Sequence, residues 1–234
     1  MSMPFYVAPE QFMQDRADFA RQGIARGRSV VVMSYAGGIL FATHNPSRAL
    51  HKVSEIYDRI AFAAVGKYHE FESLRVAGIR YADLRGYTYD RADVNVRGLA
   101  TSYARTLATV FTQEAKPFEV ELVVAEVAQD VAHDQIYRLS FDGSLTETPG
   151  YVVIGGDAEQ RTDHLASSWS PDAALPAALR GALAALAVGA DHDTPPTGEL
   201  EVAVLGRSGP RRAFRRLAEA DLAGALDPAG GEQP

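Results

Sequence analysis

Short apolar runs come in two blocks of four, parted by helical stretches, and that order restricts the fold more than any single motif does. The first block is residues 29–35, 39–43, 52–56 and 60–65. The second is residues 120–127, 135–141, a short run near Leu145, and residues 151–154. Ala36-Gly37-Gly38, Tyr57-Asp58-Arg59 and Asp142-Gly143 mark tight turns within the blocks. Between the blocks, Phe71, Leu74 and Gly78 share one side of a helix over residues 67–79. Asp93 is placed to cap a longer helix running to residue 115, with Leu99, Tyr103, Leu107, Val110 and Phe111 on its stripe. Two more helices follow residue 156. The second is expected to be capped by Ser170, with Pro171 in its first turn and Leu175, Leu179, Leu183 and Leu186 on its face. A loop over residues 191–198, a central strand over 200–205 and a helix over 217–226 complete the chain. Two strand blocks with helices between and after them imply two sheets face to face, covered by helices on both outer faces. The expectation is an α+β, four-layer αββα sandwich in one domain, residues 9–226, with residues 1–8 expected to be a flexible tail and 227–234 a disordered one.

A helix precedes the first strand. Pro9 suits a first helical turn because its missing N–H would be unpaired there. Met13, Ala17, Ala20 and Ile24 then fall on one face, and Gly27 is a candidate C-terminal cap. Phe12, Met13 and Phe19 give the helix apolar surface on more than one side, which points to burial against another chain.

The 234 residues carry a formal charge of −7, which argues against generic nucleic-acid binding. There are no cysteines, so disulfides, thiolate metal sites and a Cys nucleophile are excluded. The six histidines lack metal-ligand spacing. No cofactor or metal is expected. No secretory leader is read at the N-terminus, and the most apolar run, 173–190, is broken by Arg180. Arg211, Arg212, Arg215 and Arg216 read as a strand of solvated arginines matched to the acidic surplus. Gly155-Gly156-Asp157 is too short for a phosphate loop.

Several ordered segments resemble the α subunits of the 20S proteasome core particle, most closely the actinobacterial form. They are Tyr6-Val7-Ala8-Pro9-Glu10-Gln11, Arg26-Gly27-Arg28-Ser29-Val30-Val31, Gly37-Gly38-Ile39-Leu40-Phe41-Ala42, Lys52-Val53-Ser54-Glu55-Ile56-Tyr57-Asp58-Arg59, Phe62-Ala63-Ala64-Val65-Gly66, Tyr89-Asp90-Arg91, Lys116-Pro117-Phe118-Glu119-Val120-Glu121 and Pro210-Arg211-Arg212-Ala213-Phe214-Arg215-Arg216. The resemblance implies the αββα sandwich of N-terminal-nucleophile hydrolases. It also implies a heptameric outer ring stacked on β rings that carry catalytic N-terminal threonines.

Such a nucleophile needs a free α-amino group as its base. By resemblance Arg28 occupies that point here, Ser29 follows it, and His44 stands where catalytic subunits carry an Asp. The expectation is therefore a subunit with no catalytic residue. The alternative is a β-type threonine protease whose propeptide mimics a helix. Lys52 matches a lysine that pairs, in α subunits, with the C-terminal carboxylate of an activator, and Gly27 and Gly66 match glycines that let that tail approach the backbone. Pro4, Phe5, Tyr6, Val7 and Ala8 match the gate. The helix with Phe12, Met13 and Phe19 matches the ring-packing element. The implied partners are other α subunits, β subunits, a ring-shaped proteasomal ATPase, and unfolded substrates tagged with the prokaryotic ubiquitin-like protein. The implied compartment is the cytoplasm.

Overall fold

The computed structural model describes residues 8–189, 196–209 and 211–226. Helix α1 (Pro9–Ala25) leads into the hairpin β1 (Val30–Tyr35) and β2 (Gly38–His44). A second hairpin follows, β3 (Val53–Tyr57) and β4 (Ile60–Gly66). Helices α2 (Tyr68–Thr88) and α3 (Val96–Gln113) come next. Then come β5 (Val120–Glu126), β6 (Gln135–Leu139), β7 (Leu145–Glu147) and β8 (Tyr151–Ile154). The chain continues with α4 (Ala158–Ser168), α5 (Leu175–Ala187), β9 (Leu200–Gly206), β10 (Phe214–Arg216) and α6 (Glu219–Leu226). The strands form two five-stranded sheets, ordered β10-β9-β2-β1-β8 and β3-β4-β5-β6-β7. Every recorded pairing is antiparallel.

The central strands lack polar alternation because both faces are covered. In β1, Val30 and Val32 face the other sheet, where they meet Val53, Ala61, Ala63, Val123 and Ala125. Val31, Met33 and Tyr35 face outward onto Leu179, Leu183 and Leu186 of α5. On the second sheet, Phe62, Leu122 and Val124 pack outward against Phe71, Leu74, Leu99, Tyr103 and Leu107 of α2 and α3. The four layers expected from the strand blocks are thus present.

Three details differ from the sequence reading. Helix α3 is capped not by Asp93 but by Asn95, whose side chain accepts from Gly98 N at 2.9 Å; residues 91–93 form a 3₁₀ turn of their own. Ser170 caps only a local turn, accepting from Asp172 N, while α5 begins at Leu175 with Pro176 in its first turn. Helix α2 runs nine residues past the expected end at 79, to Thr88. Beyond Ile79 only Ala82 is fully buried, Tyr81 is half-buried against the same cluster, and Leu84 and Tyr87 are exposed, so no continuous stripe marks it.

Helix α1 covers no sheet face. Its buried row is Arg16, Ala17, Ala20 and Ile24, and the three apolar members join the inter-sheet core at one open end of the sandwich. Arg16 fixes the helix there. Its guanidinium donates to the carbonyls of Phe111 (3.0 and 2.7 Å), Glu114 (2.8 Å), Ala115 (3.1 Å) and Val110 (3.3 Å) at the C-terminus of α3. The last carbonyls of a helix have no intrahelical donors and carry its negative pole, so a buried cation is well placed among them.

Candidate functional site

The sandwich end under α1 gathers the start of β1, the end of β2, the start of β3 and the end of β4, because consecutive antiparallel strands return their termini to the same side. Arg28, Ser29, His44, Lys52, Gly27 and Gly66 meet there for that reason alone.

Ser29 is buried, and its hydroxyl donates to the carbonyl of Gly156. Its backbone nitrogen lies in a peptide bond to Arg28, and the chain continues back through Gly27 into α1. No α-amino group stands beside its hydroxyl, so the base required by an N-terminal nucleophile is missing at this position. Arg28 is exposed, with its guanidinium 3.2 Å from His44 Nε2, and His44 Nε2 lies 2.7 Å from Glu199 Oε2.

Lys52 is partly buried, and its ammonium donates to the Arg28 carbonyl at 2.7 Å. An ammonium has three donors, and this is the side-chain bond it makes among the described residues. Burial pulls its pKa down to about 8; the Glu201 carboxylate opposes that shift and the Arg28 guanidinium adds to it. Gly27 lies one residue from the carbonyl that holds Lys52. It is not a left-handed cap: its N–H bonds Ile24 O at 2.8 Å, and the helix already ends at Ala25. What requires glycine is contact. A Cβ on Gly27 would stand 2.3 Å from Val65 Cγ1 and 3.3 Å from Gly66 N. Gly66 has φ +115° and would drive a Cβ to 1.8 Å from Glu119 O. Lys52 is thus tied to the residue that follows Gly27, and Gly27 stands against Gly66, at both of which packing leaves no room for a side chain.

Beside Gly66 sits a network of fixed charge. Lys67 Nζ meets Glu119 Oε1 at 2.6 Å, and Lys116 Nζ meets Glu119 at 2.9 Å and Glu70 at 2.6 Å. Burial alone would raise the Glu119 pKa, but the two ammonium groups outweigh it and hold the carboxyl below its usual value.

The expected gate residues Pro4, Phe5, Tyr6 and Val7 lie outside the described residues; Ala8 is described, as the N-cap of α1. Of the three expected ring-packing side chains, Met13 turns inward onto the chain's own inter-sheet core. Phe12 and Phe19 stay 52% and 46% exposed, and they alone are available to another chain. The arginine cluster resolves into separate pairs: Arg212 with Glu55, Arg211 with Asp58, Arg215 with Asp221 and Arg216 with Glu201.

Sequence reasoning passed over two side chains that build this end. Arg16 falls on the inward row of α1, between Met13 and Ala20, and a lone Arg on an apolar helical face was the available signal. Glu201 stands in the apolar run of β9, where a carboxylate has no reason to be unless it is bonded.

Comparison with known proteins gives a consistent result. The family profile described as "Proteasome subunit" matches residues 24–205. A protein named Proteasome subunit alpha from Xylanimonas cellulosilytica is 65% identical over 231 residues, covering 95% of each chain. Proteins of the same name from Sanguibacter keddieii and Kineococcus radiotolerans are 62% and 58% identical. Those alignments cover 100% and 97% of this chain and 93% and 98% of theirs.

Proposed function

The chain belongs to the proteasome subunit family, and from that premise we propose that it is an α-type ring subunit that gates substrate entry and docks an activating ATPase. As an α-type member it is a non-catalytic part of a protease complex. The observation that carries the reading is α1. It fills the end of the sandwich where a free N-terminal nucleophile would stand, and Ser29 is left in mid-chain with its hydroxyl bonded to Gly156. Phe12 and Phe19 on the outer side of α1 serve as contacts to the neighbouring subunit in a heptameric ring. Residues 4–8, ahead of this helix, serve as the gate. The ring stacks on the β subunits that do the chemistry, and the complex works in the cytoplasm. None of the helices among the described residues is long and apolar enough to cross a membrane.

In the docking step, the C-terminal carboxylate of the ATPase meets the Lys52 ammonium over the bare backbone of Gly27 and Gly66. Two of the three Lys52 donors remain for it, and charge-assisted bonds to a carboxylate are the strong kind. The substrates are unfolded proteins, delivered by the ATPase after recognition of their prokaryotic ubiquitin-like tag. The test is Lys52→Ala in the assembled α/β particle. ATPase-dependent degradation of a tagged protein should be lost, because one missing contact is multiplied over the several tails that dock at once. Hydrolysis of a small peptide, which needs no docking, should be unchanged. Degradation of the tagged protein at the unaltered rate would refute the docking site.

A further inference from the structure

Alternate residues of β9 point into the inter-sheet core. Ala203 and Leu205 are buried there, and Glu201 occupies the next place in the same row, only 8% exposed. A carboxylate at such a position is costly unless its oxygens are bonded. Here they are. Glu201 Oε2 accepts from the backbone N–H of Lys52 at 3.0 Å and from Asn45 Nδ2 at 2.7 Å. Oε1 accepts from the backbone N–H of Val53 at 3.2 Å and from Arg216 Nη1 at 2.6 Å, with His51 Nδ1 at 3.3 Å. Arg216 in turn donates to the Val53 carbonyl through its other terminal nitrogen. From the opposite side, Ala64 N donates to the Lys52 carbonyl at 3.0 Å.

Every backbone N–H and C=O of residues 52 and 53 is thus bonded: the Lys52 carbonyl by the neighbouring strand, and the other groups by the Glu201 and Arg216 side chains. Lys52 immediately precedes β3, which lies at the edge of its sheet. An edge residue normally leaves its outward N–H or C=O to water. Here a carboxylate from the other sheet takes two consecutive N–H groups, and an arginine from the last strand of that sheet takes the carbonyl.

We propose that Glu201 and Arg216 are positioning residues that present Lys52 to the incoming carboxylate. This deepens the docking reading above and rests on it. A lysine's flexible four-carbon stem carries rotamer entropy that is lost when the ammonium is fixed. With the backbone clamped from both sides and Nζ tethered to the Arg28 carbonyl, the ammonium is held near one place before a ligand arrives. Preorganisation of this kind shows as affinity rather than as turnover.

The experiment uses the assembled α/β particle and a synthetic peptide bearing the ATPase's C-terminal residues, once with a free carboxylate and once amidated. Fluorescence anisotropy gives the affinity ratio of acid to amide, which reports the carboxylate contact and is not moved by a general loss of stability. Glu201→Gln should lower that ratio about tenfold, with native mass and basal peptide hydrolysis unchanged. Glu201→Asp, one methylene short, should recover part of it. Glu201→Gln combined with Lys52→Ala should be no worse than Lys52→Ala alone, since the effect passes through Lys52. An unchanged ratio in Glu201→Gln, beside a lowered one in Lys52→Ala, would overturn the positioning role and leave the docking site standing. An unchanged ratio in Lys52→Ala would remove the docking site and the positioning role with it. Additive losses in the double variant would also overturn the positioning role. If Glu201→Gln does not assemble, Arg216→Gln on the edge strand decides: a lowered ratio supports the clamp and an unchanged one refutes it.

Discussion

Replacing Arg16 by Met is expected to release α1 from the end of the sandwich while leaving the sheets folded. The guanidinium supplies donors to the carbonyls of Phe111, Glu114 and Ala115; the Val110 carbonyl keeps a second donor, the Glu114 N–H. Hydrogen bonds to charged groups contribute roughly 1.5–3 kcal/mol each. A cation at a helix C-terminus adds up to about 2 kcal/mol when partly buried. Against this, burying a guanidinium costs several kcal/mol of hydration, which Met does not lose. The net loss is about 2–4 kcal/mol. The remaining attachment of α1 is Ala17, Ala20, Ile24 and the partly buried Met13, of which Ile24 contributes about 2 kcal/mol. The Arg16 contribution is therefore of the same order as all of the apolar contacts together. Hydrogen exchange read by mass spectrometry on the purified chain should show amides of residues 9–25 exchanging about 30- to 1,000-fold faster, at 1.4 kcal/mol per factor of ten. Amides of β4 and β5 should keep their protection. Exchange in α1 within roughly threefold of the parent chain, or equal acceleration in α1 and the sheets, would refute the reasoning.

Two further outcomes are expected. Burial brings the Lys52 pKa down to about 8, so the ammonium that docking requires is present below that pH and lost above it. ATPase-dependent degradation should therefore fall as pH rises through about 8, well before an ordinary lysine at about 10.4 would titrate, and Lys52→Arg should flatten the profile; a fall shared by small-peptide hydrolysis would exclude Lys52 as its source. Deleting residues 1–8 should raise small-peptide hydrolysis by the assembled particle, and an unchanged rate at unchanged native mass would count against a gate at this end of the chain.

The layers were legible in the sequence because they follow from local pattern. Uninterrupted runs such as Val30–Tyr35 announce strands covered on both faces, and Leu99, Tyr103 and Leu107 announce the stripe of α3. Helix ends were less legible. Asp93 and Asn95 are both good caps, and only the 3₁₀ turn over residues 91–93, which takes up Asp93, decides between them. The second half of α2 was missed because its inward contacts are the small Ala82 and the half-buried Tyr81, with Leu84 and Tyr87 turned outward. Of the proposed docking site, Lys52, Gly27 and Gly66 are picked out through family resemblance; the structure places Gly27 beside Gly66 and Lys52 on the Arg28 carbonyl. What holds Lys52 could not be read, since Glu201 lies 149 residues away and meets it only when the two sheets close. Met13 shares the periodic face of Ala17, Ala20 and Ile24 in the sequence, and it packs with them against the inter-sheet core, while Phe12 and Phe19 are left outside.

The bond between Arg16 and the end of α3 also sets a schedule for synthesis. Helix α1 leaves the ribosome before α3, since its acceptors lie 94 to 99 residues downstream. At about 5–20 residues per second, the helix waits roughly 5–20 s before its dock exists. Over that interval Phe12, Phe19 and Ile24 have neither the chain's own core nor a neighbour to cover them. The nascent chain therefore passes through a stage at which α1 is exposed and its sandwich is incomplete. Premature association of that helix is the hazard this topology creates, and a slower codon passage before residue 120 would lengthen it.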